Sequence, residues 1–126
     1  MSNQALLHAT GTITGGVLVV TVVSTQIRDA AVAYALRDEI IALLDSSQPQ
    51  DLVIDLRNVE FIGSIGFLAF LGVRRHLDGR RIVICNLSQS VREMFTITKL
   101  IATDETMVAP FESATTLEAA LARLAG

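Results

Sequence analysis

The sequence predicts an α/β domain built on a mainly parallel sheet. Three runs, Val17–Val23, Leu52–Leu56 and Ile82–Cys85, are almost wholly aliphatic and rich in β-branched residues. Such runs mark strands buried on both faces. Stretches with apolar residues at helical spacing separate them, and strands alternating with helices fold as layered α/β units. The chain has 126 residues, the length of one core, so residues 1–126 are read as a single domain.

The elements follow in order. Residues 6–13 and 17–23 flank Thr14-Gly15-Gly16, and a glycine pair between two β-rich runs suits a hairpin turn. From Asp29 to about Leu44, Val32, Leu36, Ile40 and Leu43/Leu44 recur at helical spacing, with Asp29 as N-cap. Ser46-Ser47-Gln48-Pro49 ends this helix. Leu52–Leu56 is the next strand, and a turn through Arg57-Asn58 leads to Val59-Glu60-Phe61-Ile62. Gly63 and Ser64 open a second helix that runs to about Leu77, where Asp78-Gly79 stops it. After the strand Arg81–Cys85, Ser88 caps a third helix to about Thr98, with Val91, Phe95 and Ile97 inward. Met107-Val108 reads as a short last strand. Thr115/Thr116 and Glu118 begin a C-terminal helix carrying Leu117, Leu121 and Leu124. In all, about five strands in a mostly parallel mixed sheet and about four helices are expected.

Composition narrows the function. Hydrophobic residues make up 51% of the chain and charged residues 18%, which argues against disorder. The net charge of −3 argues against nucleic-acid binding, which needs a clustered basic face. Mean hydropathy is +0.51, yet no apolar run approaches the roughly 20 residues a spanning helix needs. The surplus is therefore core, or core plus a partner surface. The N-terminal residues lack a basic segment followed by an apolar one, so a cytoplasmic protein without membrane attachment is expected. A single cysteine, Cys85, excludes an internal disulfide or a cysteine zinc cluster and reads as a packed thiol.

Catalytic patterns are missing. His8 and His76 have no metal-ligand spacing around them, and Gly63-Ser64-Ile65-Gly66 is only half of a nucleophile elbow. Asp51 and Asp55 flank a strand and read as structural. No cofactor, no metal and no enzymatic activity are expected.

The helix opened by Ser64 is the informative segment. Ile65, Phe67, Leu68, Ala69, Phe70, Leu71 and Val73 leave it almost no polar face until Arg74, Arg75 and His76. Such a helix is either enclosed on two sides or offers one face to a partner. Ser64 at its start is either a plain N-cap or a phosphoacceptor. A phosphate there would meet free backbone N–H groups and the positive end of the helix dipole. It would also set about −2 charge beside an apolar surface.

Residues 52–66, LVIDLRNVEFIGSIG, and 81–95, RIVICNLSQSVREMF, followed by Ile97-Thr98-Lys99-Leu100, resemble a STAS domain of the bacterial anti-sigma factor antagonist type. The resemblance spans roughly residues 6–124. The family pattern is a buried strand, a turn, an aromatic residue, then Asp-Ser-Ser-Gly opening a helix. The resemblance implies a STAS-like fold and phosphorylation of Ser64 by a cognate anti-sigma factor, itself an ATP-dependent serine kinase, with a phosphatase reversing it. The unphosphorylated protein would bind that kinase and release the sigma factor, so regulating transcription. Asp29 matches the acidic residue before the first helix, and Gly66 the glycine after the serine pair. Gly63 stands in place of the motif's aspartate and Ile65 in place of its second serine. Only Asp29 is kept of the family's Gly-x-Leu-Asp lead-in.

The leading expectation is thus a phosphorylation-controlled switch. Ser64 accepts phosphate, Asp29, Gly63 and Gly66 surround it, and Ile65, Phe67 and Leu68 form the docking face with Arg28 at its rim. Two alternatives stand beside it. One is a STAS scaffold that self-associates without a phosphoswitch; the other is a nucleotide binder using a helix N-terminus.

Overall fold

In a computed structural model, the described residues are 7–102 and 108–125. They form seven strands and four helices: β1 (Ala9–Thr14), β2 (Val17–Val22), β3 (Gln26–Ile27), α1 (Ala30–Ser47), β4 (Asp51–Asp55), β5 (Phe61–Ile62), α2 (Ser64–His76), β6 (Ile82–Cys85), α3 (Gln89–Ile97), β7 (Glu112–Ala114) and α4 (Leu117–Ala125). The main sheet has the order β1-β2-β4-β6-β7. β1 is antiparallel to β2, and every other pairing is parallel. β3 and β5 pair separately as a two-stranded parallel ribbon.

Local chemistry sets the element ends. Gly15 and Gly16 have φ of 56° and 81°, the two positive angles of a type I′ hairpin turn, which glycine adopts without steric cost. The Asp29 carboxylate accepts the Val32 N–H at 2.9 Å, and the Ser88 hydroxyl accepts the Val91 N–H at 3.2 Å. Gln48 ends α1 in the left-handed conformation.

Alternation along the strands divides the core. Leu18, Val20 and Val22, Leu52, Ile54 and Leu56, and Ile82 and Ile84 face α1, α2 and α3. Val19, Val53, Val83, Cys85 and Ala114 face the other way, onto Ala120 and the leucines of α4. The three aliphatic runs are therefore central strands covered on both faces, as their composition implies. No helix among the described residues is long and apolar enough to cross a membrane.

Two local expectations need correction. Ile97 is 79% exposed. The inward face of α3 is set by Val91 and Phe95, four residues apart, and a residue two positions beyond Phe95 points to the far side of a helix. The last strand is Glu112–Ala114 and not Met107-Val108. Met107 lies outside the described residues, and Val108 is exposed and outside any strand.

Candidate functional site

The site is assembled where the β3–β5 ribbon meets α2. Glu60 N–H donates to the Thr25 carbonyl at 2.7 Å, and Gly63 N–H to the Ile27 carbonyl at 2.8 Å. These bonds tie the start of α2 to the segment leading into α1. Arg28 lies with its guanidinium 4.6 Å from the centroid of the Phe61 ring, within cation–π range. Its Nε–H also donates to Gln26 Oε1 at 2.5 Å.

Gly63, not Ser64, is the N-cap of α2, and no side chain caps the helix. The Gly63 carbonyl accepts the Gly66 N–H at 2.9 Å. The first N–H groups of a helix have no intrahelical acceptor, so those of Ser64 and Ile65 lie open beside the exposed Ser64. No acidic residue occupies the first turn. This arrangement favours an anion on Ser64 through the helix dipole. Asp29 is spent on capping α1.

Gly66 lets α2 sit down on the ribbon. A Cβ at this position would stand 2.7 Å from Ile62 Cγ2, 2.9 Å from Ile27 Cγ2 and 3.2 Å from the Ile27 carbonyl. Gly66→Ala should gain about 1 kcal/mol of helix propensity and lose about 2–3 kcal/mol to overpacking against stiff β-branched neighbours. A net loss of about 1–2 kcal/mol in urea unfolding is expected.

The apolar helix is mostly enclosed. α2 packs on α1 along one side and on the sheet and α3 along another. Phe67, expected at the docking face, is 8% exposed and meets Phe95 edge-on, with ring centroids 5.0 Å apart at 82°. It belongs to the core; its neighbour Leu68, about 100° further round the helix, is the residue that turns outward. Leu68 is 56% exposed, and Ile65 is half-buried against the core.

Leu68 opens onto a groove of about 640 Å³ between α1 and α2, lined also by Tyr34, Arg37, Ile41, Gly72 and Arg75. The missing side chain of Gly72 admits Arg37, whose Cδ lies 2.9 Å from where a Cβ would stand. The Arg37 guanidinium lies 4.9 Å from the Tyr34 ring centroid. Sequence reading passed over Tyr34, Arg37 and Gly72. The signal was the Tyr34/Arg37/Ile41 spacing on α1, one helical stripe beside the buried one.

The remaining candidates are structural. His8 lies just before β1 with Nδ1 2.7 Å from Ser24 Oγ, and His76 Nε2 lies 2.7 Å from Asp45 Oδ1. Asp51 accepts the Arg81 N–H at 3.1 Å. Cys85 is fully buried, and burial pushes its thiol up to about 12. At the ends of β4 and β6, Asp55 is also fully buried. It accepts Arg57 N–H at 3.0 Å, Arg57 Nε–H at 2.9 Å and Asn86 Nδ2–H at 3.1 Å. Burial alone would raise its carboxyl, but the Arg57 and Asn86 bonds outweigh it and hold it below the usual carboxylate value.

The family model of the STAS domain matches residues 9–114. The chain belongs to the STAS family. No curated protein sequence matches it. Among solved structures, this STAS domain is similar to an anti-sigma factor antagonist from Mycobacterium paratuberculosis, at 29% identity and TM-score 0.75, over 94% of this chain and 93% of that one. It shares its fold with the phosphorylated form of the Bacillus cell fate determinant SpoIIAA, at 20% identity and TM-score 0.63, over 92% and 98% of the two chains. It also shares it with RsbS of Moorella thermoacetica carrying a serine-to-glutamate substitution, at 17% identity and TM-score 0.66, over 93% and 94%. The five-stranded mixed sheet with four helices expected from sequence is this STAS fold.

Proposed function

We propose that this STAS domain is an anti-sigma factor antagonist: a non-catalytic switch that binds a cognate serine kinase and is released when Ser64 is phosphorylated. One observation carries the reading. Ser64 is exposed at an uncapped helix N-terminus, and Leu68, one turn along, is the exposed large apolar residue of that helix. A phosphate on Ser64 would be favoured by the open N–H groups and by the nearby Arg28. Placed beside Leu68, the same charge would repel an acidic or apolar partner surface. Ile65, Leu68 and Arg28 are the contact residues, with Gly63 and Gly66 shaping the acceptor and Asp29 holding the start of the neighbouring helix α1. Gly63 in place of an aspartate removes a negative charge next to the hydroxyl, which lowers repulsion of the incoming phosphate.

Incubation with the cognate kinase and ATP, followed by phosphosite mapping, tests this. Label is expected on Ser64 and at least tenfold less in Ser64→Ala. Ser64→Ala labelled as fast as the native protein would remove the assignment. Ser64→Asp is expected to weaken kinase binding in calorimetry by roughly tenfold or more, about 1.4 kcal/mol.

A further inference from the structure

β1 is the outer strand of the main sheet, and among the described residues nothing pairs with its free edge. Exposed edges are ordinarily guarded by lysine, proline, a bulge or a covering element. β1 reads Ala-Thr-Gly-Thr-Ile-Thr, with no charge and no proline, and its register with β2 runs unbroken from Ala9↔Val22 to Thr14↔Val17.

The hydrogen-bond phase identifies which groups face outward. Val23 N–H donates to the His8 carbonyl at 2.7 Å, and in an antiparallel pair such bonding alternates along the strand. Thr10, Thr12 and Thr14 therefore bond to β2, while the backbone groups of Ala9, Gly11 and Ile13 point away from it. The Ala9 N–H, on the outward side in this phase, donates to Glu39 Oε1 of α1 at 3.2 Å. Glu39 is 4% exposed and also takes the His8 N–H at 2.8 Å. It closes the first donor of the edge and leaves the Gly11 and Ile13 groups open.

We propose that this edge joins two copies of the chain, β1 to β1, antiparallel about a two-fold axis beside Thr12. A second copy fits for three reasons. An isologous antiparallel contact uses one patch twice, and this register sets Gly11 opposite Ile13 of the second copy. The open backbone groups on both chains then meet in four hydrogen bonds. On one sheet face, Thr12 opposes Thr12 and Thr10 opposes Thr14, pairs that stabilise strands in contact. On the other face, Ile13, 52% exposed, lies across a glycine. Leu43 Cδ1 and Leu18 Cδ1 come within 3.1 Å and 3.3 Å of where a Gly11 Cβ would stand. Ile13 of the second copy would seat against that half-buried Leu43. With no charge on β1, like copies are not repelled. The edge is two strands removed from β4, which leads to α2, so Ser64 stays accessible in the pair.

The test is site-specific cross-linking. Cys85 is buried, so a cysteine introduced on β1 is the reactive thiol among the described residues. The pair closest across the axis has Cβ atoms roughly 4.5–5.5 Å apart, near disulfide range. With diamide as oxidant, Thr12→Cys is expected to form a covalent dimer at least tenfold faster than Thr14→Cys. Mixed Thr10→Cys and Thr14→Cys should cross-link to each other. Native protein should sediment as a concentration-dependent dimer at up to about 1 mM, the range of weak contacts. Ile13→Lys should be monomeric with an unchanged melting temperature. Equal oxidation rates for the Thr12→Cys and Thr14→Cys proteins, monomeric native protein throughout this range, or a dimer that survives folded Ile13→Lys would each overturn the proposal.

Discussion

Replacing Phe95 with alanine is expected to cost about 3–5 kcal/mol of folding stability. Phe95 is fully buried. Its ring meets Phe67 at 5.0 Å, Phe70 at 6.0 Å and Phe111 at 6.4 Å, two of these contacts being edge-on. It thus joins α3 to α2 and to the strand-like segment before β7. Deletion leaves a cavity bounded by three other rings, which cannot collapse without moving α2. For a domain of this size the loss corresponds to a fall in melting temperature of roughly 10–20 °C. Calorimetry measures it directly. Because Phe67 lies in the turn that carries Ser64, the proposed phosphorylation of Ser64 should also slow at temperatures where the variant remains folded. Phe95→Leu, which refills most of the volume, should recover more than half of the loss.

Asp55→Ala is expected to cost about 2–3 kcal/mol at neutral pH. The carboxylate satisfies the Arg57 N–H, the Arg57 guanidinium and Asn86 together, and removal strands partly buried donors at the ends of β4 and β6. Asn86 itself sits at a positive φ of 57°, so its loss of a partner also frees a turn that the network holds. The pH dependence has a definite sign. The folded carboxyl lies below its ordinary value of 3.8, so the unfolded chain binds the proton more readily. Asp55 therefore contributes its full stability above about pH 4, and the contribution is lost as pH falls through the lower folded value. The gap in urea midpoint between native protein and Asp55→Asn should be widest at pH 7 and should close as the pH is lowered through the folded value. A gap of equal size at every pH would assign the cost to shape and not to charge.

Ser64 and the glycines around it were legible because a helix beginning after a buried strand is a local event. The strand, the turn, the aromatic Phe61 and the helix start all lie within residues 52–66, and short-range chemistry decides them. The facing of α2 was not legible. Seven apolar residues between Ile65 and Val73 hide which side is out, and adjacent residues differ by about 100° around the helix axis. Phe67 goes inward and Leu68 outward because α1 and α3 occupy particular sides of α2, and those contacts join residues far apart in the chain. Tyr34 and Gly72 share a groove for the same reason. Ile97 misled because an aliphatic residue at a helix end looks like core until the partner surface is seen to stop short of it.

What the sequence determined by itself is the order and kind of the elements. Aliphatic β-branched runs, helical spacing, Asp29 and Ser88 as caps and the Gly15-Gly16 turn act over a few residues each. Together they specify a STAS domain with Ser64 at the head of a helix. What only the tertiary structure decided is exposure. It left Leu68 outside and Phe67 inside, set Arg28 over Phe61, and ended the sheet on an uncharged β1 whose outer edge no described strand pairs. Exposure depends on which surfaces remain after all the layers have packed, and that remainder is a property of the whole fold.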